Sequence, residues 1–272
     1  MGPIGVFDSG YGGLTILNDL RKQLPEYDYL YLGDNARAPY GTRSFEVVYE
    51  FTLQAVNELF DRGCELVILA CNTASAKALR TIQQKDLPIL APNKRVLGVI
   101  RPSAEIVGSF SSSKAIGILA TLGTVLSDSY PIEIGNFSPD CNVYQQACPL
   151  WVPLIENNEF DTVPGRAFIK QDVESLLAQN AAIDTIVLGC THYPVLKNYI
   201  QSFLPDSIKV IAQGEIVARS LENYLKRHPE MEKRCSKGHS VKFLTSESTT
   251  EFDENAPNYV DYEVTSEHII LH

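Results

Sequence analysis

The run Leu66-Val67-Ile68-Leu69-Ala70-Cys71-Asn72-Thr73-Ala74-Ser75 changes character in its middle. Its first five residues are apolar without a break, the pattern of a strand buried on both faces rather than one wetted on alternate sides. Its second half offers Asn72, Thr73 and Ser75, side chains that cap the start of a helix. A thiol, Cys71, stands where one character gives way to the other. A buried strand running into a helix is the repeating unit of a parallel α/β sheet. A second stretch, Leu188-Gly189-Cys190-Thr191-His192-Tyr193-Pro194, repeats the arrangement after the apolar run Thr185 to Leu188, with a histidine two positions beyond the thiol.

The alternation extends outward from these two points. Gly5 to Phe7, Tyr29 to Leu32, Ile89-Leu90, Val96 to Ile100, Ala115 to Leu119, Lys209 to Ala212 and Val241 to Leu244 read as further short strands, the last before a polar tail, and Asn142 to Gln146 as a weaker one. Helical spacing fills the intervals at Leu14–Gln23, Ser44–Phe60, Ala76–Gln84, Ser103–Phe110, Asp172–Gln179, Val195–Phe203 and Glu215–Lys226. A faint duplication is visible. One strand ends in Asp8-Ser9 and a later one in Cys71-Asn72-Thr73; further on, one ends in Thr121 and a later one in Cys190-Thr191-His192. The expected fold is α/β: two similar lobes, each a mostly parallel sheet flanked by helices, with the site in the cleft between them. The first lobe is expected to take residues 1–97 plus 209–272, the second residues 98–208.

With 23 basic and 33 acidic residues the chain carries a net charge of −10, which disfavours nucleic acid or an anionic membrane as partner. The start lacks a basic segment leading into an apolar one, and no apolar run approaches the ~18 residues of a membrane span, so a cytoplasmic protein is expected. The six cysteines Cys64, Cys71, Cys141, Cys148, Cys190 and Cys235 form no CxxC pair. Cys235 and His239 have zinc-ligand spacing but no second pair, so no metal site is expected and the thiols should be reduced.

Ligands of parallel sheets sit beyond the carboxyl ends of the strands. Asp8, Asp34, Cys71, Thr121 and Cys190 all fall there. A helix N-terminus favours the reactive thiolate, and His192 is placed as a proton partner for Cys190. The competing reading is a small buried apolar residue, which is what free cysteine most often is. The turn Phe7-Asp8-Ser9-Gly10-Tyr11-Gly12-Gly13 fails the dinucleotide fingerprint, because Thr15 occupies the third glycine position. It suits an amino acid, with backbone N–H groups and Ser9 for a carboxylate and Asp8 for an ammonium, or it is simply a loop that needs glycine. Gly41 can offer a further N–H, and Cys64, Cys141, Cys148 and Cys235 are taken as structural.

In order, FDSGYGGLTIL, GDNARAPYGTRS, ACNTASA, CPLWVPLIE and LGCTHYP resemble the motifs of the cofactor-independent amino-acid racemases, and the set fits the glutamate branch better than the aspartate or hydantoin branches. The resemblance implies no cofactor, and implies Cys71 and Cys190 as the two acid–base residues. Cys71 would take the proton from D-glutamate and Cys190 from L-glutamate. It implies Asp8 and His192 as assistants to the thiols, and Ser9, Tyr40, Gly41, Asn72, Thr73, Thr191 and His192 as substrate contacts. Asp34 and Glu156 match auxiliary acidic positions; Thr121 and Thr124 are further auxiliary candidates. It also implies a homodimer that supplies D-glutamate for peptidoglycan. Two groups fixed on opposite faces of one α-carbon invert it without either having to move, and a thiol pKa of ~8.5 keeps both protonation states within reach. An aspartate racemase and a two-lobed amino-acid-binding protein without catalysis are the alternatives.

Overall fold

The computed structural model describes residues 1–272. In chain order the strands are β1 (Ile4–Asp8), β2 (Tyr29–Gly33), β3 (Leu66–Leu69), β4 (Arg95–Gly98), β5 (Ala115–Ala120), β6 (Asn142–Ala147), β7 (Thr185–Gly189), β8 (Lys209–Ile211), β9 (Val241–Thr245) and β10 (Ser266–His268). They form a six-stranded sheet in the order β10-β9-β2-β1-β3-β4 and a four-stranded sheet in the order β6-β5-β7-β8. Every pairing is parallel.

The unbroken apolar runs are explained by packing on both faces. β1, β2, β3, β5 and β7 are buried at every position. Along β1, Ile4 and Val6 pack with Leu14, Leu17 and Leu20 of helix Gly13–Gln23. Phe7 faces the other way, among Val48, Ala55, Val56 and Leu59 of helix Phe45–Asp61. β5 is covered likewise: Leu119 shares a core with Ile169, Val173 and Leu176 of helix Val163–Gln179. Ile116 and Ile118 meet Ala104 and Val107 of helix Ile100–Phe110 and Tyr130 and Ile134 of helix Ser129–Phe137. This is the two-period of a strand read on each side by a different helix.

The two sheets share a topological feature. β1 lies between β2 and β3, and β5 between β6 and β7, so the winding reverses beside β1 in one sheet and beside β5 in the other. Such reversals open a crevice at the carboxyl ends of the two strands involved. β3 leads to Cys71 and β7 to Cys190, so each thiol stands at the reversal point of its own sheet.

Three expectations need correction. The helix after β3 is Asn72–Lys77, starting directly behind Cys71 rather than at Ala76, because the Cys71 sulfur itself accepts the Ala74 N–H at 3.4 Å as the cap. Ile89-Leu90 lies in a short helix, Leu87–Leu90, with Ile89 81% exposed, so its apolar character reflects no buried strand. β8 pairs with β7, Val210 opposite Ile186, so residues 209–211 belong with the second sheet and the chain crosses back only after Ile211. The polar tail, to which the sequence assigns no element, adds to the core: Phe252 of helix Thr249–Asn255, Val260 and Val264 are buried, and β10 extends the first sheet. No helix is long and apolar enough to cross a membrane.

One carboxylate ties the entrances of β5 and β7 together. Asp184 accepts the Ser111 hydroxyl at 2.6 Å and the backbone N–H groups of Ser112 and Ser113, each at 2.8 Å. Partial burial alone would raise its pKa, but the hydrogen bonds outweigh it and hold the group at about 2. A depressed pKa contributes stability that is present above the unfolded value and is lost as pH falls towards about 2. Asp184→Ala should therefore lose stability at neutral pH in urea denaturation, by about 0.5–1.5 kcal/mol once solvent screening of this partly exposed carboxylate is allowed for. The gap from the unsubstituted protein should narrow as pH falls from about 5 towards 2; a gap that stays constant over that range would contradict the assignment.

Candidate active site

The carboxyl edges of the two sheets meet. Thr191, next to Cys190, donates its hydroxyl to Asp8 Oδ2 at 3.2 Å. Thr73, two residues after Cys71, shares a hydrogen bond of 2.9 Å with Thr121, and Thr121 one of 3.1 Å with Thr124. Gly123 N–H donates to the Gly41 carbonyl at 2.8 Å, and Thr15 donates to the Thr191 carbonyl at 3.0 Å. The approach is close enough to require glycine at position 12, where a Cβ would stand 2.4 Å from Thr191 Oγ1 and 2.5 Å from His192 Nδ1.

The thiols lie in this seam. Cys71 is 5% exposed and Cys190 6%, while Cys64 is fully buried and Cys148 1% exposed. Ser9 Oγ lies 3.4 Å from Cys71 Sγ. On the other side, Cys190 Sγ is 3.9 Å from His192 Nδ1, and His192 Nε2 is 2.9 Å from Glu156 Oε1. Asp8, wholly buried, accepts the Gly10 N–H at 3.0 Å through Oδ1.

The electrostatics of the two halves differ. Burial, reinforced by the nearby Asp8 carboxylate and by charge on Cys190, pushes the Cys71 thiol up to about 12, against the opposing hydrogen bonds from Ser9 and the Ala74 N–H. Burial also raises Asp8 above the ordinary carboxylate range, opposed by His192 and by hydrogen bonds from Gly10, Gly13 and Thr191. Burial would lower His192, but hydrogen bonds to Cys190 and Glu156 overcome it and carry the imidazole up to about 10. At neutral pH, then, Cys71 holds its proton and a histidinium stands beside Cys190.

Other expected residues fall nearby with different work to do. Tyr40, buried, donates its hydroxyl to Asp34 Oδ2; Asp34 also accepts from Arg37 at 2.7 Å and Ser246 at 2.7 Å, so this pair is a knot under the loop carrying Gly41. Gly41 contributes its carbonyl to the seam and packs on Thr121. Asn72 is buried with its amide engaged by Gln213 and Tyr130, each at 2.8 Å. Tyr130, Gln213 and Tyr259 are absent from the sequence-based set. Tyr259 packs edge-on against His192, ring centres 5.7 Å apart. A cavity of about 700 Å³ opens behind helix Asn72–Lys77, among Ser75, Lys77, Arg80, Arg101 and Arg227, and neither thiol lines it.

The chain is thus an α/β protein of two parallel sheets that meet at their carboxyl edges, with a thiol at the reversal point of each. Residues 14–254 match the family described as Asp/Glu/Hydantoin racemase, and the chain belongs to that family. It is 40% identical to a glutamate racemase of Ruegeria sp. (strain TM1040), over 97% of this chain and 98% of that protein. Among solved structures it is similar to a glutamate racemase of Bacillus anthracis, with a TM-score of 0.89 at 32% identity over 99% of this chain and 98% of that one. A glutamate racemase of Francisella tularensis solved in complex with D-glutamate has a TM-score of 0.87 at 30% identity, over 99% of this chain and 97% of that one.

The histidine assignment has a direct check. The His192 ring protons should titrate in NMR with a midpoint near 10, and Glu156→Gln should move that midpoint down. A raised histidine pKa stabilises the fold below the unfolded value of ~6.5 and loses that contribution as pH rises through about 10. Stability should therefore fall over that window, and less steeply in Glu156→Gln. A His192 midpoint near 6.5 would show that the pairing does not hold a proton.

Proposed function

We propose that this protein interconverts L- and D-glutamate without a cofactor, with Cys71 and Cys190 as the two acid–base groups. The observation that carries the reading is the placement of one slightly accessible thiol at each reversal point of two sheets joined edge to edge. The names of its relatives supply the substrate, and the homologue in complex with D-glutamate supports binding of that ligand.

The chemistry follows from charge and burial. A thiolate on one face removes the α-proton, and the C–H electron pair stays on the substrate, delocalised into its carboxylate. The thiol on the other face delivers its own proton to the same carbon. One proton leaves and one arrives, and each sulfur ends in the state the other began in. The resting asymmetry suits the L-to-D direction, since Cys71 holds the proton to be delivered and His192 places a positive charge beside Cys190. The reverse direction requires Cys71 to lose its proton, and a substrate ammonium beside Asp8 would offset the negative charge that now opposes this.

Developing negative charge needs donors fixed in advance. Ser9, Thr73, Thr121 and Thr191 bring hydroxyls to the seam, and the start of helix Asn72–Lys77 brings backbone N–H groups. Water excluded from so closed a site leaves these interactions strong. In this reading the two sheets act as lobes, residues 1–98 with 212–272 against 99–211. The protein works as a cytoplasmic homodimer that feeds D-glutamate into peptidoglycan synthesis.

Cys71→Ala and Cys190→Ala should each lower kcat by about 10³-fold or more, with the thermal midpoint nearly unchanged. In heavy water, deuterium should enter the product enantiomer at the α-carbon, with little appearing early in recovered substrate. Circular dichroism of L-glutamate and L-aspartate incubated with the protein reads the rate of inversion and the substrate preference, and NMR of the separated enantiomers reads the label. Full activity in either single variant would sink the two-thiol scheme, and faster inversion of aspartate would overturn the substrate assignment.

A further inference from the structure

Asn72 follows Cys71 directly, yet its side chain turns into a closed ring of hydrogen bonds inside the molecule. Asn72 Nδ2 donates to Gln213 Oε1 at 2.8 Å, Gln213 Nε2 donates to Tyr130 OH at 2.8 Å, and Tyr130 OH donates to Asn72 Oδ1 at 2.8 Å. Gln213 Nε2 also stands 2.8 Å from Ser103 Oγ and 3.2 Å from the Val99 carbonyl. All four side chains in this network are buried.

The members come from places that matter to the geometry. Val99 and Ser103 lie where the chain leaves the first sheet for the second, and Gln213 where it returns. Tyr130 belongs to helix Ser129–Phe137, which packs on the second sheet. The Tyr130 ring lies against the backbone just before Cys190: a Cβ on Gly189 would meet Tyr130 Cε2 at 3.1 Å. One continuous path therefore runs from Cys71 through Asn72 to Tyr130, and from the Tyr130 ring to Gly189 and Cys190. Both crossings between the sheets are pinned to it. Buried amides and hydroxyls that are fully paired hold a single arrangement, because every alternative leaves a polar group unpaired.

We propose that Gln213 and Tyr130 are positioning residues for the thiol pair, a strut across both crossings that sets the separation of Cys71 and Cys190. The proposal rests on the two-thiol reading above. Neither residue needs to touch substrate for it to hold. A misplacement of about 1 Å at a reacting group is enough to cost of order 10²-fold in rate.

The test is steady-state kinetics of Tyr130→Phe and Gln213→Met in both directions, with α-deuterated and ordinary glutamate. Tyr130→Phe keeps the ring against Gly189 and removes only the hydroxyl. Gln213→Met keeps the volume and removes the amide. Each should lower kcat about 10- to 100-fold in both directions with KM within about threefold, and should enlarge the isotope effect on kcat as proton transfer becomes limiting. The double variant should be little worse than the poorer single, because both changes break one ring. Thermal midpoints measured on the same samples separate positioning from unfolding, and if Tyr130→Phe does not fold, Gln213→Met carries the test. Folded variants with kcat within about twofold of the unsubstituted protein would overturn the proposal, as would a change confined to KM or losses that simply multiply. Cys71→Ser and Cys190→Ser, measured alongside, keep the two ideas apart. If they are active, the thiol reading fails; if they are inactive while the Tyr130 and Gln213 variants are normal, only the strut fails.

Discussion

Two hydrogen bonds across the seam, Thr191 to Asp8 and Thr73 to Thr121, bring the carboxyl edges of the two sheets together around the thiols. Each joins a residue near one cysteine to a residue of the opposite sheet. Thr191 adjoins Cys190, while its acceptor Asp8 precedes Ser9, which touches Cys71. Thr73 follows Cys71, while Thr121 ends β5 beside β7. The thiols are therefore flanked on two sides by hydrogen bonds that join the two sheets. The missing Cβ at Gly12 belongs to the same requirement, since any side chain there would prise Thr191 and His192 away.

Closing the seam raises the cost of every charge inside it, and that cost governs the choice of groups. Burial pushes Asp8 up, and carries the Cys71 thiol to about 12, so negative charge is disfavoured on that side of the site. His192 keeps its charge against burial because Cys190 and Glu156 both accept from it. The arrangement stores a positive charge next to one sulfur and a proton on the other. A carboxylate in place of either thiol would start from a pKa near ~4, too weak a base for an α-proton, and would need a far larger shift to take part.

Much of this was legible in the sequence because a strand buried on both faces is written as an unbroken apolar run. LVIL and TIVL mark β3 and β7, and the residues directly after each run must lie at the carboxyl edge. Cys71, Cys190, Asp8 and Thr121 are found that way. Long-range partners leave no such mark. Tyr130 sits in a helix among ordinary apolar residues, Gln213 in a turn, and Tyr259 in a polar tail; only the folded chain brings them to Asn72 and His192. Ile89-Leu90 misleads for the opposite reason, being apolar yet exposed on a short helix. β8 misleads because three residues with one buried valine carry too little pattern to say which sheet they join.

In the proposed reading a substrate reaches thiols that are 5% and 6% exposed, and the two sets of hydrogen bonds around them differ in how readily a partner can be replaced. Thr121 and Ser9, two of the seam hydroxyls, are partly exposed, and bonds such as theirs contribute about 0.5–1.5 kcal/mol net because water or a bound ligand can replace the partner, whereas the Thr191–Asp8 bond is buried. The ring of Asn72, Gln213 and Tyr130 has no such substitute. Its polar atoms are buried, and leaving any one of them unpaired costs about 1–3 kcal/mol with no water to recover it. In the proposed reading, the partly exposed part of the seam is therefore where a ligand's polar groups most readily take over a hydrogen bond, while the crossings stay paired.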